Sequence, residues 1–264
     1  MLVAERRALI LAAVIDRGAV RAADLAEELG VSVMTIRRDL DQLEIAGELS
    51  KVHGGAISTA HLDSVRGLEP LPSLKAERQP EAKRAIAAAA VEFIEDGMTV
   101  AIGAGTTTLE LAKLLRGRQV SVVTNSMAIF ALLTDPGETI LNPAAVQLTG
   151  GQRTPSDALV GPLANAALER YRTDLAFLGV HGIDPAAGMT TPNLGEAETN
   201  RKLLDTARTT VVLADHTKYA EIGAHLYATF ARVDRVVTDA AIRPDHRRAL
   251  AAVVDLTVAE GMNR

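Results

Sequence analysis

The chain has 264 residues, room for one small and one mid-sized domain, and its 48% apolar content belongs with globular rather than disordered proteins. It contains no Cys, which excludes disulfides, thiolate metal sites and Cys nucleophiles; with no Trp and 3% aromatics, its core must come from Ala, Val, Leu and Ile. The net charge of −5 gives no general attraction to nucleic acid or membrane.

Glu5, Arg6 and Arg7 stand where a signal peptide needs an apolar run, and no stretch reaches the roughly 18 apolar residues of a membrane span. The expected compartment is the cytoplasm, with no membrane contact. Residues 5–16 read as a helix with Ile10, Ala13 and Val14 on one face and Gly18 as its stop. A second helix is expected over Ala22–Leu29, closed by Gly30, and a third begins after Ser32 as N-cap and runs to about Ala46. At about 100° per residue, Val33, Ile36, Leu40 and Leu43 share one face of that third helix. Thr35, Arg38 and Gln42 fall opposite, with Arg37 on the flank. Residues 48–56 then read as a hairpin turning at Gly54-Gly55.

Helix, turn and helix around Gly30-Val31-Ser32 suit a recognition helix entering the major groove, with the hairpin as a wing. Arg37 and Arg38 have the fork geometry for phosphate or guanine edges, and Gln42 for adenine. Ser32 and Thr35 stand at the helix start, where hydroxyls and free N–H groups meet phosphate. Lys51 and His53 would flank the groove from the wing. Charge argues the other way: residues 1–57 hold seven Lys or Arg against nine Asp or Glu, a balance of −2. A DNA-binding role therefore requires the few cations to gather on one face. The competing reading is a three-helix scaffold whose Arg37 and Arg38 pair with Asp39, Asp41 or Glu44, and periodicity leaves both open.

The run Val31-Ser32-Val33-Met34-Thr35-Ile36-Arg37-Arg38-Asp39-Leu40-Asp41-Gln42-Leu43-Glu44, then Gly47, Leu49 and Val52-His53-Gly54-Gly55-Ala56, resembles the signature of the DeoR family of bacterial sugar-metabolism repressors. The resemblance covers essentially the whole chain. It implies binding of double-stranded operator DNA through about Val20–Leu40. Lys51 departs from the family's usual Arg, replacing a fork by a point charge.

Residues 58–80 lack periodicity, contain Gly67, Pro70, Pro72 and Pro80, and are expected to link a domain at 1–57 to one at 81–264. Beyond them, strands near Thr99–Ile102, Val120–Val123, Val146–Thr149, Leu175–Leu178, Thr210–Ala214 and Arg235–Val237 alternate with helices. The helices are expected at Ala82–Ile94, Thr107–Leu115, Met127–Leu133, Leu159–Tyr171 and Glu196–Ala207. Such alternation predicts an α/β domain with a mostly parallel sheet, whose ligands bind beyond the carboxyl ends of the strands.

Five loops end strands on that edge. Gly103-Ala104-Gly105-Thr106-Thr107-Thr108 opens a helix whose N–H groups and dipole suit an anion, although glycine-rich turns of this kind also arise for steric reasons alone. Thr124-Asn125-Ser126, Gly150-Gly151, Gly179–Asp184 and Asp215-His216-Thr217-Lys218 are the others. Lys218 is either a phosphate partner or an ordinary solvated lysine. Glu196 and Glu198 open a helix, where acids favour the dipole, and Glu198 also has the option of bordering the pocket. The six His show no close metal spacing, so neither metal nor cofactor is expected.

The DeoR family's effector domain is similar at these loops, and itself resembles the ribose-5-phosphate isomerase type of sugar-phosphate fold. The resemblance implies Gly105, Thr106 and Thr107 around a phosphate, Thr124 and Asn125 beside the sugar, and Lys218 as charge partner of a phosphorylated metabolite. Gly103, grouped with this site, stands where the family usually has Asp, so a hydroxyl acceptor or general base is absent. The expected function is a homo-oligomeric repressor of a sugar operon, released by a sugar phosphate. The alternative is an isomerase with an accessory N-terminal domain, for which Asp184 is the remaining candidate base.

Overall fold

The structure is a computed structural model; it describes residues 3–17, 19–46, 48–52, 54–58, 78–135 and 145–260. They fall into two compact units, one within residues 1–68 and one within residues 69–264. Gly18, His53 and residues 59–77 of the expected linker lie outside the described residues.

The first unit is a winged helix-turn-helix. Helices α1 (Val3–Arg17), α2 (Ala22–Glu28) and α3 (Val33–Ile45) accompany an antiparallel sheet of order β1-β3-β2, built from Ala19–Arg21, Gly55–Ser58 and Leu49–Val52. α2 stops at Gly30, whose φ of +64° is left-handed, and the Val31 N–H closes the turn onto the Ala26 carbonyl at 3.0 Å. Ser32 then caps α3, its hydroxyl accepting from the Thr35 N–H at 3.1 Å. Ile10, Val14, Leu25, Ile36, Leu40, Leu43 and Leu49 form the core. The paired glycines of the wing have different reasons. Gly54 turns the chain at φ +89°, whereas a Cβ on Gly55 would stand 2.0 Å from the Val20 carbonyl oxygen, so β1 pairs with β3 only if residue 55 lacks a side chain.

One face of α3 differs from expectation. Val33 is 37% exposed, and Asp39 is buried beside Ile36, Leu40 and Leu43 instead. Val33 is the first helical residue, on the flank of the apolar stripe, where the helix has not yet met its neighbours. Asp39 is held on the other flank by α1: Arg6 Nε lies 2.6 Å from Oδ2 and Arg7 Nε 3.0 Å from Oδ1. Burial pushes the Asp39 carboxyl up, but the Arg6 and Arg7 guanidiniums outweigh it and hold it below the usual carboxylate range. Period alone could not show a charge buried by a partner 33 residues away.

The second unit carries a seven-stranded sheet of order β15-β14-β12-β9-β4-β5-β6, every neighbouring pair parallel. Its strands are β4 (Thr99–Ile102), β5 (Ser121–Thr124), β6 (Val146–Leu148), β9 (Thr173–Gly179), β12 (Ala207–Leu213), β14 (Arg235–Asp239) and β15 (Asp255–Ala259). The helices are α4 (Pro80–Val91), α5 (Thr106–Lys113), α6 (Met127–Thr134), α7 (Pro162–Leu168), α8 (Leu194–Thr206) and α9 (Pro244–Ala251). Two apolar clusters, one centred on Ile86, Ile102, Leu111 and Phe177 and one on Leu178, Leu203, Val212 and Val236, form its core.

The chain runs from β4 outward through β5 to β6, returns to lay β9 on the other side of β4, and continues outward through β12 to β15. The order therefore reverses between β4 and β9, and the crevice of a doubly wound sheet opens at that switch point.

Besides helix α9 and the edge strand β15, two additions have no counterpart in the expected elements. The strands β7 (Gln152–Arg153) and β8 (Leu159–Val160) make a hairpin; β10 (Gly182–Asp184), β11 (Gly188–Thr191) and β13 (His225–Ala228) make a small antiparallel sheet. The expected helix Leu159–Tyr171 is corrected accordingly. Leu159–Val160 is strand, Gly161 turns at φ +92°, and the helix starts at Pro162, the residue whose fixed φ suits a first helical position.

Candidate functional site

On the first unit, α3 settles how its charges are used. Asp39 is held by Arg6 and Arg7, Asp41 is paired with the Lys51 ammonium, and a Glu44 carboxylate oxygen accepts the Lys51 backbone N–H at 2.8 Å. All three acids named as partners for Arg37 and Arg38 are thus engaged by other residues. Arg37 and Arg38 are exposed, and neither forms an ion pair with a described residue. Gln42 is exposed on the same side, together with Met34 at 57%, a residue missed because an apolar side chain reads as core. Ser32 and Thr35 sit at the helix start with their hydroxyls 2.8 Å apart. Lys51 leans from β2 onto α3, while His53 lies outside the described residues. The acidic balance is offset where it matters: α3 presents two guanidiniums outward and ties its carboxylates down.

In the second unit, the five expected loops follow β4, β5, β6, β9 and β12, which are contiguous in the sheet. Neighbouring strands stand about 4.8 Å apart, so the loops after β4 and β12, two strands apart, are separated by about 10 Å. The first loop lies at the switch point. Its Gly105 is exposed and its Thr106 half-buried, and α5 starts at Thr106, so the unpaired N–H donors of a helix's first turn face the crevice.

Other members of the predicted set act as scaffold. Gly103 donates its N–H to the Phe177 carbonyl at 2.9 Å, and its own carbonyl accepts the Thr108 hydroxyl at 2.7 Å. A Cβ there would stand 3.5 Å from both Leu178 Cγ and Leu203 Cδ1, so a side chain at 103 would start against apolar groups. The Thr124 hydroxyl donates to the Ile102 carbonyl at 2.6 Å and accepts the Ser126 N–H at 3.0 Å. Asn125 accepts the Ala104 N–H at 2.9 Å and donates one Nδ2–H to the Leu159 carbonyl at 3.1 Å. It is a buried brace that fixes the loop after β4 to the β7–β8 hairpin. Thr107 is buried at the start of α5.

Lys218 lies in a short 3-10 turn, His216–Lys218, whose position is doubly fixed. Asp215 accepts the Thr217 N–H at 3.0 Å, and Asp239, at the end of β14, accepts the His216 N–H at 2.7 Å while its other oxygen meets His216 Nδ1 at 2.8 Å. The loop after β9 is anchored as well, for the buried Tyr227 hydroxyl donates to the Gly179 carbonyl at 2.9 Å. At the head of α8 it is Glu196 that turns inward, and Glu198 is exposed. Buried, Glu196 accepts from the Thr154 hydroxyl at 2.8 Å and from Ser156. Glu196 and Asp239 were beyond sequence reasoning because their partners lie 42 and 23 residues away.

Comparison with known proteins agrees with both halves. Residues 6–61 match the DeoR-like helix-turn-helix domain, and residues 78–240 match the DeoR C terminal sensor domain. The chain is 35% identical over 266 residues, covering 100% of both proteins, to the HTH-type transcriptional regulator GlpR of Haloferax volcanii. It is 33% identical over 223 residues, 84% of this chain and 86% of the other, to the Lactose phosphotransferase system repressor of Staphylococcus epidermidis. Among solved structures, ribose 5-phosphate isomerase A from Methanocaldococcus jannaschii is 19% identical, with a TM-score of 0.38 over 53% of this chain and 54% of that one, and nothing about activity rests on it. The relatives are transcriptional regulators rather than enzymes, which sets the isomerase reading aside. With a helix-turn-helix that turns its arginines outward and a sensor domain following it in the chain, the protein belongs to the DeoR family of DNA-binding transcriptional regulators.

Proposed function

We propose that this regulator represses an operon of sugar catabolism and that a phosphorylated sugar, bound at the carboxyl edge of the sensor sheet, releases it from DNA. Arg37, Arg38 and Gln42 read base edges, Met34 contacts thymine methyls, and Ser32, Thr35, Lys51 and His53 meet phosphates. Gly105, Thr106 and Thr107 hold the phosphoryl group with Lys218 as its charge partner. Thr124, Asn125 and Gly103 shape the pocket wall. Residues 58–80 tether the two domains, and the protein works in the cytoplasm, where its operator is. Two copies bind together, so that paired recognition helices meet half-sites about 34–36 Å apart or a multiple of that.

The observation that carries this reading is the placement of the anion-suited loop at the switch point, on the same sheet edge as the lysine-bearing loop two strands away. It supports phosphate recognition more than either loop does alone. The test uses the full chain, a duplex selected from random DNA by the protein itself, and a set of sugars with their phosphates. A phosphorylated sugar is expected to raise the melting temperature, by the equivalent of about 2.7 kcal/mol at a hundred times its Kd, and to release the duplex. The unphosphorylated counterpart is expected to do neither. If free sugars act as well as their phosphates, the anion site is wrong.

A further inference from the structure

Arg21 is a cation that neither the recognition helix nor the core employs. It ends β1 and stands at the N-cap of α2, extended at φ −89° and ψ 138°, and its side chain makes no capping bond. At that position a Ser, Thr, Asn or Asp satisfies a free N–H of the first turn, as Ser32 does for α3, so an arginine there forgoes a stabilising contact. The strand fixes which way it points. Val20 lies in the core of the first unit, and alternation turns Arg21 to the opposite face, where it is exposed.

The wing stands against this residue without burying it. Arg21 is in register with Gly55, and Val52 faces Gly55 from the other side. Gly55 offers no side chain to cover its neighbour. The Ala22 N–H donates to the Gly54 carbonyl at 2.9 Å, so α2 begins at the turn of the wing. The wing's lysine is already engaged: the Lys51 ammonium is tied to Asp41, just as Arg6 and Arg7 are tied to Asp39. Of the seven Lys and Arg in residues 1–57, these three are held by carboxylates, whereas Arg21 forms no ion pair with a described residue. Even Asp24, three positions on in the first turn of α2, is not its partner.

We propose that Arg21 is a phosphate-binding residue of the DNA interface, reaching the backbone from the root of the wing and adding affinity without sequence preference. The inference rests on α3 as the helix that enters the major groove, for α2 is then the helix that crosses the backbone, and Arg21 stands at its head. A guanidinium presents a planar fork that matches a phosphate bidentately, which Lys51, tied to α3, does not supply. β1 and β2 are the two edges of the wing sheet, about 10 Å apart, so Arg21 gives the wing a cation on the edge that Lys51 leaves bare. In a domain with a net acidic balance, an arginine kept clear of every described carboxylate at the cost of a helix cap is a charge reserved for another partner.

The test uses the full chain, the duplex selected by the protein and a second duplex of scrambled sequence, each titrated from about 0.05 to 0.2 M salt. Arg21→Ser is expected to bind both duplexes about eightfold more weakly at about 0.1 M salt, which is what release of one counterion supplies at that concentration, and to lower the slope of log K against log salt by about 0.9. Arg21→Gln, which keeps most of the side chain's length without its charge, is expected to repeat the loss, and Arg21→Lys to keep the slope. Ser is a good N-cap, so Arg21→Ser is expected to melt no lower than the wild type, which separates lost contact from lost fold. An unchanged slope in the Ser and Gln variants overturns the proposal. So does a loss confined to the selected duplex, which would make Arg21 a reader of bases. Arg38→Ala is expected instead to narrow the difference between the two duplexes. Its failure to do so would overturn α3 as the reading helix, and the slope of the Arg21 variants would still decide whether Arg21 meets phosphate.

Discussion

Replacing Arg37 and Arg38 together by Ala is expected to weaken operator binding about a hundredfold or more while leaving the fold intact. Each arginine that reaches a base edge or phosphate contributes about 1–3 kcal/mol, and both are exposed, Arg38 on the outer face of α3 and Arg37 on its flank. Their removal breaks no ion pair with a described residue, because Asp39, Asp41 and Glu44 are engaged by Arg6, Arg7 and Lys51. The melting temperature should move by no more than the equivalent of about 0.5 kcal/mol, as for an ordinary surface change. Stabilisation by a sugar phosphate should be unchanged, since the sensor is untouched. Gel shifts on the selected duplex and thermal unfolding measure both. An unchanged operator affinity would return α3 to the scaffold reading, and a large fall in stability would mean that the arginines hold the head together.

Lys218→Ala is expected to do the opposite. The variant should bind operator as the wild type does and fail to leave it. A charge-assisted hydrogen bond to a phosphoryl group is worth roughly twice a neutral one, and in the proposed pocket Lys218 would supply it from a turn that Asp215 and Asp239 hold in place. Loss of about 2 kcal/mol raises the effector concentration needed for release about thirtyfold. Half-release of the duplex at the wild-type concentration would remove Lys218 from the pocket. Because the two variants separate reading from sensing, each serves as the control for the other.

Much of this was legible in the sequence because it is locally encoded. Ser32 caps α3 through its own hydroxyl, Gly30 ends α2, and the β–α alternation from residue 99 onward needed only period and punctuation. The five loops were legible for the same reason, each following a recognisable strand. What escaped was encoded at a distance. Asp39 looks like a surface acid until Arg6 and Arg7 are folded against it, and Glu196 like a helix-dipole acid until the β7–β8 hairpin brings Thr154 to it. β7 and β8, of two residues, and β10, of three, are too short to show a period and lie outside the β–α alternation that marked the equally short strands of the main sheet. Lys83, buried in the first turn of α4, had the disguise of an Ala-rich amphipathic helix, where a lysine reads as solvated. At Gly103 the lesson is geometric: a missing carboxylate matters only if a side chain there would point at the ligand, and this one would begin against Leu178 and Leu203.

If the effector weakens operator binding by some factor, operator must weaken effector binding by that same factor, because coupling between two sites of one chain is reciprocal. The direct measurement is the effector Kd of the free protein and of the operator-saturated protein, beside the operator Kd with and without saturating effector. Two equal ratios are expected, each corresponding to about 1–3 kcal/mol, or roughly 5- to 150-fold. An effector Kd that is the same on and off the operator would contradict this coupling, for a ligand with equal affinity for both states releases nothing.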